Sequence, residues 1–406
     1  MLRRSFCTLA AAPLASAAAP AKPKIALIIT EYRKNSHADV IAGRLLGGYE
    51  YYGKRVEPRL HAVSMFTDQV PSNDMSRDMA ARHNVKIYDD VRSALTLGGS
   101  TLAVDGVVLI GEHGNYPDNE KGQKLYPRHR LFSEIVRVYE ASGRAVPTFC
   151  DKHLSTGWDK AKWMYDASRR LRFPFLAGSS VPIAWRKPEL EFPLGVRIRN
   201  AVATAYGGKE AYGFHALESL QVMLERRQGG ESGVARVQCL DGPAVWSWAD
   251  AHPWSLKLMN AANGRAEKIT PGNVRDNVKS PSVFLLTYRD GLEAAVFMLN
   301  GHIEGFHFAA DVIGQPEPQS TLMWLQPGRY YAHFSTLTHY IEELILHRKE
   351  PYPVERTLLT TGILAAAMDS AYQQGKPLDT PHLNIRYRAP KQSLYNRGPV
   401  PALEQA

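Results

Sequence analysis

Cysteine is scarce in this chain: three in 406 residues, and Cys7 lies within the first twenty. Cys150 and Cys239 remain, far apart and each inside a strand-like run, so they read as buried thiols rather than a disulfide framework. Past residue 20 no apolar run approaches the ~20 residues that a membrane-spanning helix needs, so no membrane span is expected. Charge of one sign never gathers in blocks. The 49 basic and 40 acidic residues give a net +9, scattered along the chain; that excludes a nucleic-acid footprint and leaves at most a field mildly attractive to anions. Glycine is missing where it would say most. After the apolar strand Lys24 to Thr30 come Glu31-Tyr32-Arg33-Lys34-Asn35-Ser36-His37. A dinucleotide-binding turn would carry Gly-x-Gly-x-x-Gly there, letting a pyrophosphate approach a helix N-terminus. Arg33 and Lys34 are left to supply phosphate charge, or to stand in a solvated loop. Ser36 is placed to cap a helix from Ala38 to Tyr49.

The first twenty residues read as a leader. Arg3 and Arg4 precede an apolar stretch from Phe6 to Ala15, and Ala15-Ser16-Ala17 is a small-residue cleavage site. Arg3-Arg4-Ser5-Phe6 has the pattern of the twin-arginine route, and an ordinary Sec signal holding two arginines is the alternative. A periplasmic or secreted protein is expected. Ordinary composition, 44% hydrophobic and 22% charged, with this length suggests about two domains in a globular protein.

The stretch from Val146 to Ser180 organises the rest. An apolar run, Ala145 to Cys150, predicts a buried strand, and Asp151, Lys152 and His153 crowd its tip. Ala161, Trp163, Met164, Ala167 and Leu171 then mark one helix face, and Phe173 to Ala177 a second strand closed by Gly178. This is a βαβ unit with polar side chains at a carboxyl end, where open α/β sheets bind ligands. Lys152 is either part of such a site or a solvated loop lysine. Upstream, Arg59 to Phe66 is a strand ending near Asp68, where a ribose hydroxyl would be held if the aspartate is more than a loop residue. Asp105 to Ile110 is a strand ending in the loop Gly111-Glu112-His113-Gly114-Asn115-Tyr116-Pro117. Strands alternating with helices imply a parallel sheet. From Gly195 the pattern turns to half-buried strands around a helix at Glu210 to Arg226, with a hairpin signal at Asp290-Gly291. The expected fold is α/β: a leader (1–20), a Rossmann-like parallel-sheet domain (21–180), an α+β domain with an open, mostly antiparallel sheet (181–385), and an extended proline-rich arm (386–406).

So arranged, the chain resembles the glucose–fructose oxidoreductase / inositol dehydrogenase (Gfo/Idh/MocA) family. Asp151-Lys152-His153 is similar to that family's Glu-Lys-Pro strand end, and Phe175-Leu176-Ala177-Gly178 to its following strand and glycine turn. Gly213-Phe214-His215-Ala216-Leu217-Glu218 resembles its Gly-x-His with an acid three residues on, with Glu for the usual Asp. The terminal helices, closing at Gln374-Gly375-Lys376-Pro377, fit as well. The likeness runs from about Lys24 to Leu383, departing at the absent glycine fingerprint and at His153 in place of proline.

The resemblance implies hydride transfer between NAD or NADP and a sugar or polyol carbon. Lys152 and His215 would then stand beside that carbon, His215 moving the hydroxyl proton and Lys152 holding the oxygen. Glu218, one turn from His215, would orient its ring. The strand tips facing the cofactor would be Glu31, Arg33, Ser36, Asp68, Gly111, Glu112, His113 and Asp151. A homo-oligomer pairing through the second domain's sheet is also implied. Two alternatives stand beside this reading. The histidines near strand ends (His37, His113, His153, with His302 and His307 later) and Glu112 or Asp151 are ordinary ligand types for a divalent metal in a nicotinamide-independent lyase or hydrolase. The other is a carbohydrate-binding protein without catalysis.

Overall fold

The computed structural model describes residues 21–326 and 331–400; the expected leader lies outside the described residues. Strand β1 (Lys24–Glu31) is buried from its second residue onward, because helices cover both faces of its sheet. Helix α1 (His37–Gly47) follows, capped by the Ser36 hydroxyl, which accepts from the Asp39 amide. Next come β2 (His61–Gln69), β3 (Lys86–Ile87), β4 (Gly106–Ile110), α2 (Arg128–Ser142), β5 (Thr148–Asp151), α3 (Trp158–Arg170) and β6 (Phe175–Gly178). These six strands form one sheet in the order β3-β2-β1-β4-β5-β6, with every neighbouring pair parallel. Strand order reverses between β1 and β4, so a crevice opens beyond their carboxyl ends. The expected parallel domain is present. One detail differs: Trp163 does not join the buried face of α3 but is 38% exposed, edge-on to His129. The face that packs is Ala161, Met164, Ala167 and Ser168.

The second sheet contains β7 (Trp185–Lys187), β8 (Ile198–Ala205), β9 (Val234–Asp241), β10 (Ser282–Tyr288), β11 (Glu293–Met298), β12 (Phe306–Val312), β13 (Gln319–Trp324) and β14 (Leu378–Asp379). Its order is β14-β9-β10-β11-β8-β12-β13-β7, antiparallel except between β8 and β11. The β10–β11 hairpin turns at Asp290-Gly291, where Gly291 has φ 87°. Alternation along β8 sorts the two faces. Ala201 and Ala203 pack toward α4 (Ala211–Leu224) and α6 (Glu355–Tyr372), whereas Val202 packs under the helix Pro253–Asn263.

Helix α5 (His333–His347), late in sequence, returns to the first sheet. Its Phe334, Leu337 and Ile341 share a core with Ile25, Leu27, Ile29, Val108 and Ile110. Helix α6 ties the halves together. Arg356 forms a buried bidentate pair with Glu225 (2.8 and 2.6 Å), and the Thr357 hydroxyl donates to the Ala177 carbonyl at 2.8 Å. Residues 387–400 run without regular secondary structure along the second domain and on to Tyr52 of the first. The Tyr387 hydroxyl donates to Glu225 at 3.0 Å, and Arg226 donates to the carbonyls of Pro390 and Lys391.

Candidate active site

A cavity of about 560 Å³ lies between the two sheets. The first domain contributes His37, Glu112, His113 and Lys152; the second contributes Tyr206, Tyr212, His215, Phe306 and Trp324; α5 adds His333 and Phe334. Lys152 occupies it by an unusual backbone choice. Its φ is 66°, a left-handed conformation costly for a residue with a Cβ, and its amide donates to the Gly178 carbonyl at 3.2 Å. The side chain is buried. Its ammonium donates to the Ala211 carbonyl at 3.3 Å and lies 3.5 Å from Glu112. Ala211 is one turn before His215 on α4, so Lys152 touches the helix that carries His215. The two expected partners are brought to one cavity across the domain boundary.

Glu112 pairs with both Lys152 and the buried Arg128. Burial alone would raise its pKa, but Lys152 and then Arg128 outweigh that and hold the carboxylate well below its usual range. Arg128 also lies 3.2 Å from His153 Nε2, which is 2.8 Å from Glu210. Gly111 serves this chain of charges: a Cβ there would run into the Arg128 side chain. Beside it, His37 Nδ1 is 2.6 Å from Asp151 Oδ2, and Asp151 is fully buried. His37 is the first residue of α1, and its amide donates to His113 Nδ1 at 3.4 Å. Burial, then the neighbouring His37, lowers His113 to about 4, so its ring is neutral near pH 7. His215 sits edge-on to Phe306, and its Nδ1 has no protein partner. Burial, then Lys152 and His37, pushes its pKa well down, so it too is neutral. The cavity therefore offers the Lys152 ammonium, the carboxylate-held imidazole of His37 and the neutral imidazoles of His113 and His215, opposite an aromatic wall.

Several expected roles are not supported by the geometry. Glu218 does not orient His215; its Oε2 accepts from the Ser179 amide (2.9 Å) and hydroxyl (2.6 Å), under the end of β6. A carboxylate one turn away shares a helix face, but the nearer donors won it. Arg33 is not aimed at a phosphate: its Nε donates to Glu31 at 2.7 Å. Ser36 is buried and spent on capping α1, and the Asn35 amide at that helix end donates to the Asp39 carboxylate at 2.9 Å. Asp68 accepts from the Tyr116 hydroxyl at 2.7 Å and pairs with Arg130. The residues expected to hold a dinucleotide's ribose and pyrophosphate are thus engaged with other groups of the protein. They do not fit that group in the manner of the fold. Gly111, Glu112, His113 and Asp151 do surround the cavity or support it, as parts of the charged cluster. His302 and His307 lie elsewhere, at Asn277 and Thr204. Among the described residues no group of three His, Cys, Asp or Glu is placed to hold a metal ion.

Arg128, Glu210, Tyr212, Trp324 and His333 were not legible as site residues. Arg128 reads as a basic helix start after Pro127, and only its burial distinguishes it. His37 carried one signal, its position directly after a cap at a strand tip.

Two groups here, the half-buried His113 and the buried Glu218, give stability opposite dependences on pH. His113 keeps its neutral form down to about 4, whereas in the unfolded chain it protonates near ~6.5. Its contribution is full above that upper value and is lost as pH falls through the folded one. Burial, partly offset by the Ser179 hydrogen bonds, raises Glu218 to about 7. Its contribution is present below ~4.3, the unfolded value, and is lost as pH rises through the folded one. Glu218→Gln keeps an acceptor for Ser179 but cannot ionise. Its unfolding free energy relative to the parent is expected to rise from pH 5 to pH 9, with turnover within a few-fold of the parent. Urea denaturation at both pH values checks the first; loss of turnover would restore Glu218 to the catalytic group.

No family model matches the sequence, and no curated protein matches it. Solved structures do share its fold. Apo scyllo-inositol dehydrogenase from Lactobacillus casei is 11% identical, with a TM-score of 0.53, covering 88% of this chain and 98% of its own. GenD2 from gentamicin A biosynthesis, solved in complex with NAD, is 14% identical with a TM-score of 0.55, covering 91% and 99%. A Gfo/Idh/MocA family oxidoreductase from Vibrio cholerae is 12% identical with a TM-score of 0.51, covering 87% and 98%. Both sheets thus belong to one architecture: the chain has the two-domain fold of the Gfo/Idh/MocA oxidoreductases.

Proposed function

We propose that the interdomain cavity is an enzyme active site for a sugar or polyol, at which protons move at a hydroxyl-bearing or carbonyl carbon. One observation carries this reading: Lys152, His37 with Asp151, and His215 converge on a single cavity walled by Tyr206, Tyr212, Phe306 and Trp324. Small-ligand sites are commonly apolar with a few convergent polar groups. The fold is shared with oxidoreductases, one of them solved with NAD. In this chain the residues at a dinucleotide's usual places are engaged within the protein, so the chemistry falls to the side chains that line the cavity. Asp151 holds the proton of His37 on Nδ1, which leaves Nε2 to accept one from substrate. Lys152 has three donors and spends them on one carbonyl and one carboxylate at 3.3 and 3.5 Å; a substrate oxygen that gains charge completes the set. The leader supports export, so mature protein from the periplasm or medium should lack its first residues by intact mass.

The test is a panel of inositols, aldoses and keto-sugars, followed by calorimetry for binding and by NMR for product, with and without NAD(P). At least one is expected to bind and be converted, and Lys152→Ala should bind it with conversion lost. Conversion that survives Lys152→Ala would overturn the assignment, and binding without conversion would make the protein a carbohydrate-binding one.

A further inference from the structure

We infer that the chain fills its own dinucleotide crevice, and that the cavity beside it carries a redox-neutral activity: proton exchange at the carbon next to the carbonyl of a polyhydroxy ketone. This rests on the sugar-site reading above. In this fold a dinucleotide is held at the turn after the first strand, at the following helix N-terminus and at an acid on the second strand's tip. Residues 112–116, at the start of the segment 111–127, reach the end of β1, the start of α1 and the tip of β2. The Thr30 hydroxyl at the end of β1 donates to the Glu112 carbonyl at 2.8 Å. At the start of α1, His113 accepts the His37 amide at 3.4 Å. At the end of β2, Gln69 exchanges two hydrogen bonds with Asn115, at 3.1 and 2.8 Å, and Asp68 takes the Tyr116 hydroxyl at 2.7 Å. The segment is itself braced. Gly114, at φ 118°, passes beneath the Tyr116 ring where a Cβ would collide; Asp118 bridges to Lys124; and Lys121 pairs with Asp369 on α6. These are interlocking bonds from a folded loop to strand ends, not a lone contact.

A site without a dinucleotide beside it needs a reaction in which no electrons leave the substrate. The residues present suit enolisation. His37 Nε2 takes the proton from the carbon next to the carbonyl, and Asp151 balances the imidazolium. The C–H electron pair forms the carbon–carbon double bond, and the carbonyl pair moves to oxygen as an enolate held by Lys152. Return of the proton from His37, or from solvent, restores the ketone. Charge, atoms and oxidation state balance at each stage.

The test uses the mature chain in D₂O without nicotinamide. Probes are D-fructose and the cyclic ketone made by oxidising one hydroxyl of myo-inositol, followed by proton NMR. Enzyme-dependent loss of the signal next to the carbonyl is expected, slowed by about 10²-fold or more in His37→Gln and in Asp151→Asn. Millimolar NAD⁺ or NADP⁺ should give no calorimetric heat and no change in rate. If a nicotinamide binds and is reduced by a polyol while no exchange occurs, the inference falls and the sugar site stands. Binding of either ketone without exchange overturns the activity. Failure of both ketones to bind, with no polyol bound either, overturns the sugar site itself.

Discussion

Asp151→Asn is expected to lower turnover by roughly 10²–10⁴-fold while ligand affinity stays within a few-fold. Asp151 is fully buried at the tip of β5, and its carboxylate is 2.6 Å from His37 Nδ1. An acceptor-only group there fixes one tautomer of the imidazole. A carboxamide offers a donor as well as an acceptor, so the ring can turn its unprotonated nitrogen toward residue 151 and its N–H toward substrate. The base is then lost without any loss of volume. His37→Ala should cost a similar factor, and the double variant little more than the worse single one, since both residues serve one proton transfer. Single-turnover measurements on the converted sugar separate this from weakened binding. Turnover within threefold of the parent in both single variants would pass the role of base to His215.

The second large effect is on stability. Arg356→Ala should cost about 3–5 kcal/mol, because it strands the Glu225 carboxylate in the interior where α4, α6 and the C-terminal arm meet. Arg356 also stacks on the Tyr352 ring, 4.6 Å from its centroid. Replacing both members, Arg356→Met with Glu225→Leu, removes the stranded charge and should recover most of the loss. Guanidinium denaturation of the two singles and the double gives the coupling directly. Additive losses would show that packing on Tyr352, rather than the ion pair, carries the stability.

The fold was legible because apolar runs of strand length alternating with helical periodicity leave few topologies, and five of the six parallel strands came from such runs; the sixth, Lys86–Ile87, is two residues long. Lys152 was legible for a related reason: polar residues at a buried strand's end have little structural cause to be there. What stayed hidden was decided by partners distant in sequence. His37 meets Asp151 across 114 positions, and only the folded sheet brings their two tips together. The assignment of Glu218 to His215 relied on helical spacing, which places groups on one face without saying which neighbour takes the hydrogen bond. Gly111 to Pro117 carries the glycine and proline marks of a loop, but loops have no periodicity that would say what they lie across. The missing glycines were therefore visible while the chain that meets the same places was not.

Helix α5 has a consequence for how the protein is made. The first sheet's core is completed by Phe334, Leu337 and Ile341, and the Tyr49 hydroxyl donates to Glu342 from 293 positions away. At ribosomal rates of ~5–20 residues per second, that interval is roughly 15–60 s of synthesis. Throughout it the nascent amino-terminal half carries an apolar surface whose natural cover has not yet been translated. The first domain cannot be finished before the second has nearly been made, so the two mature as one unit, and a chaperone's hold on the emerging chain would have to last about that long.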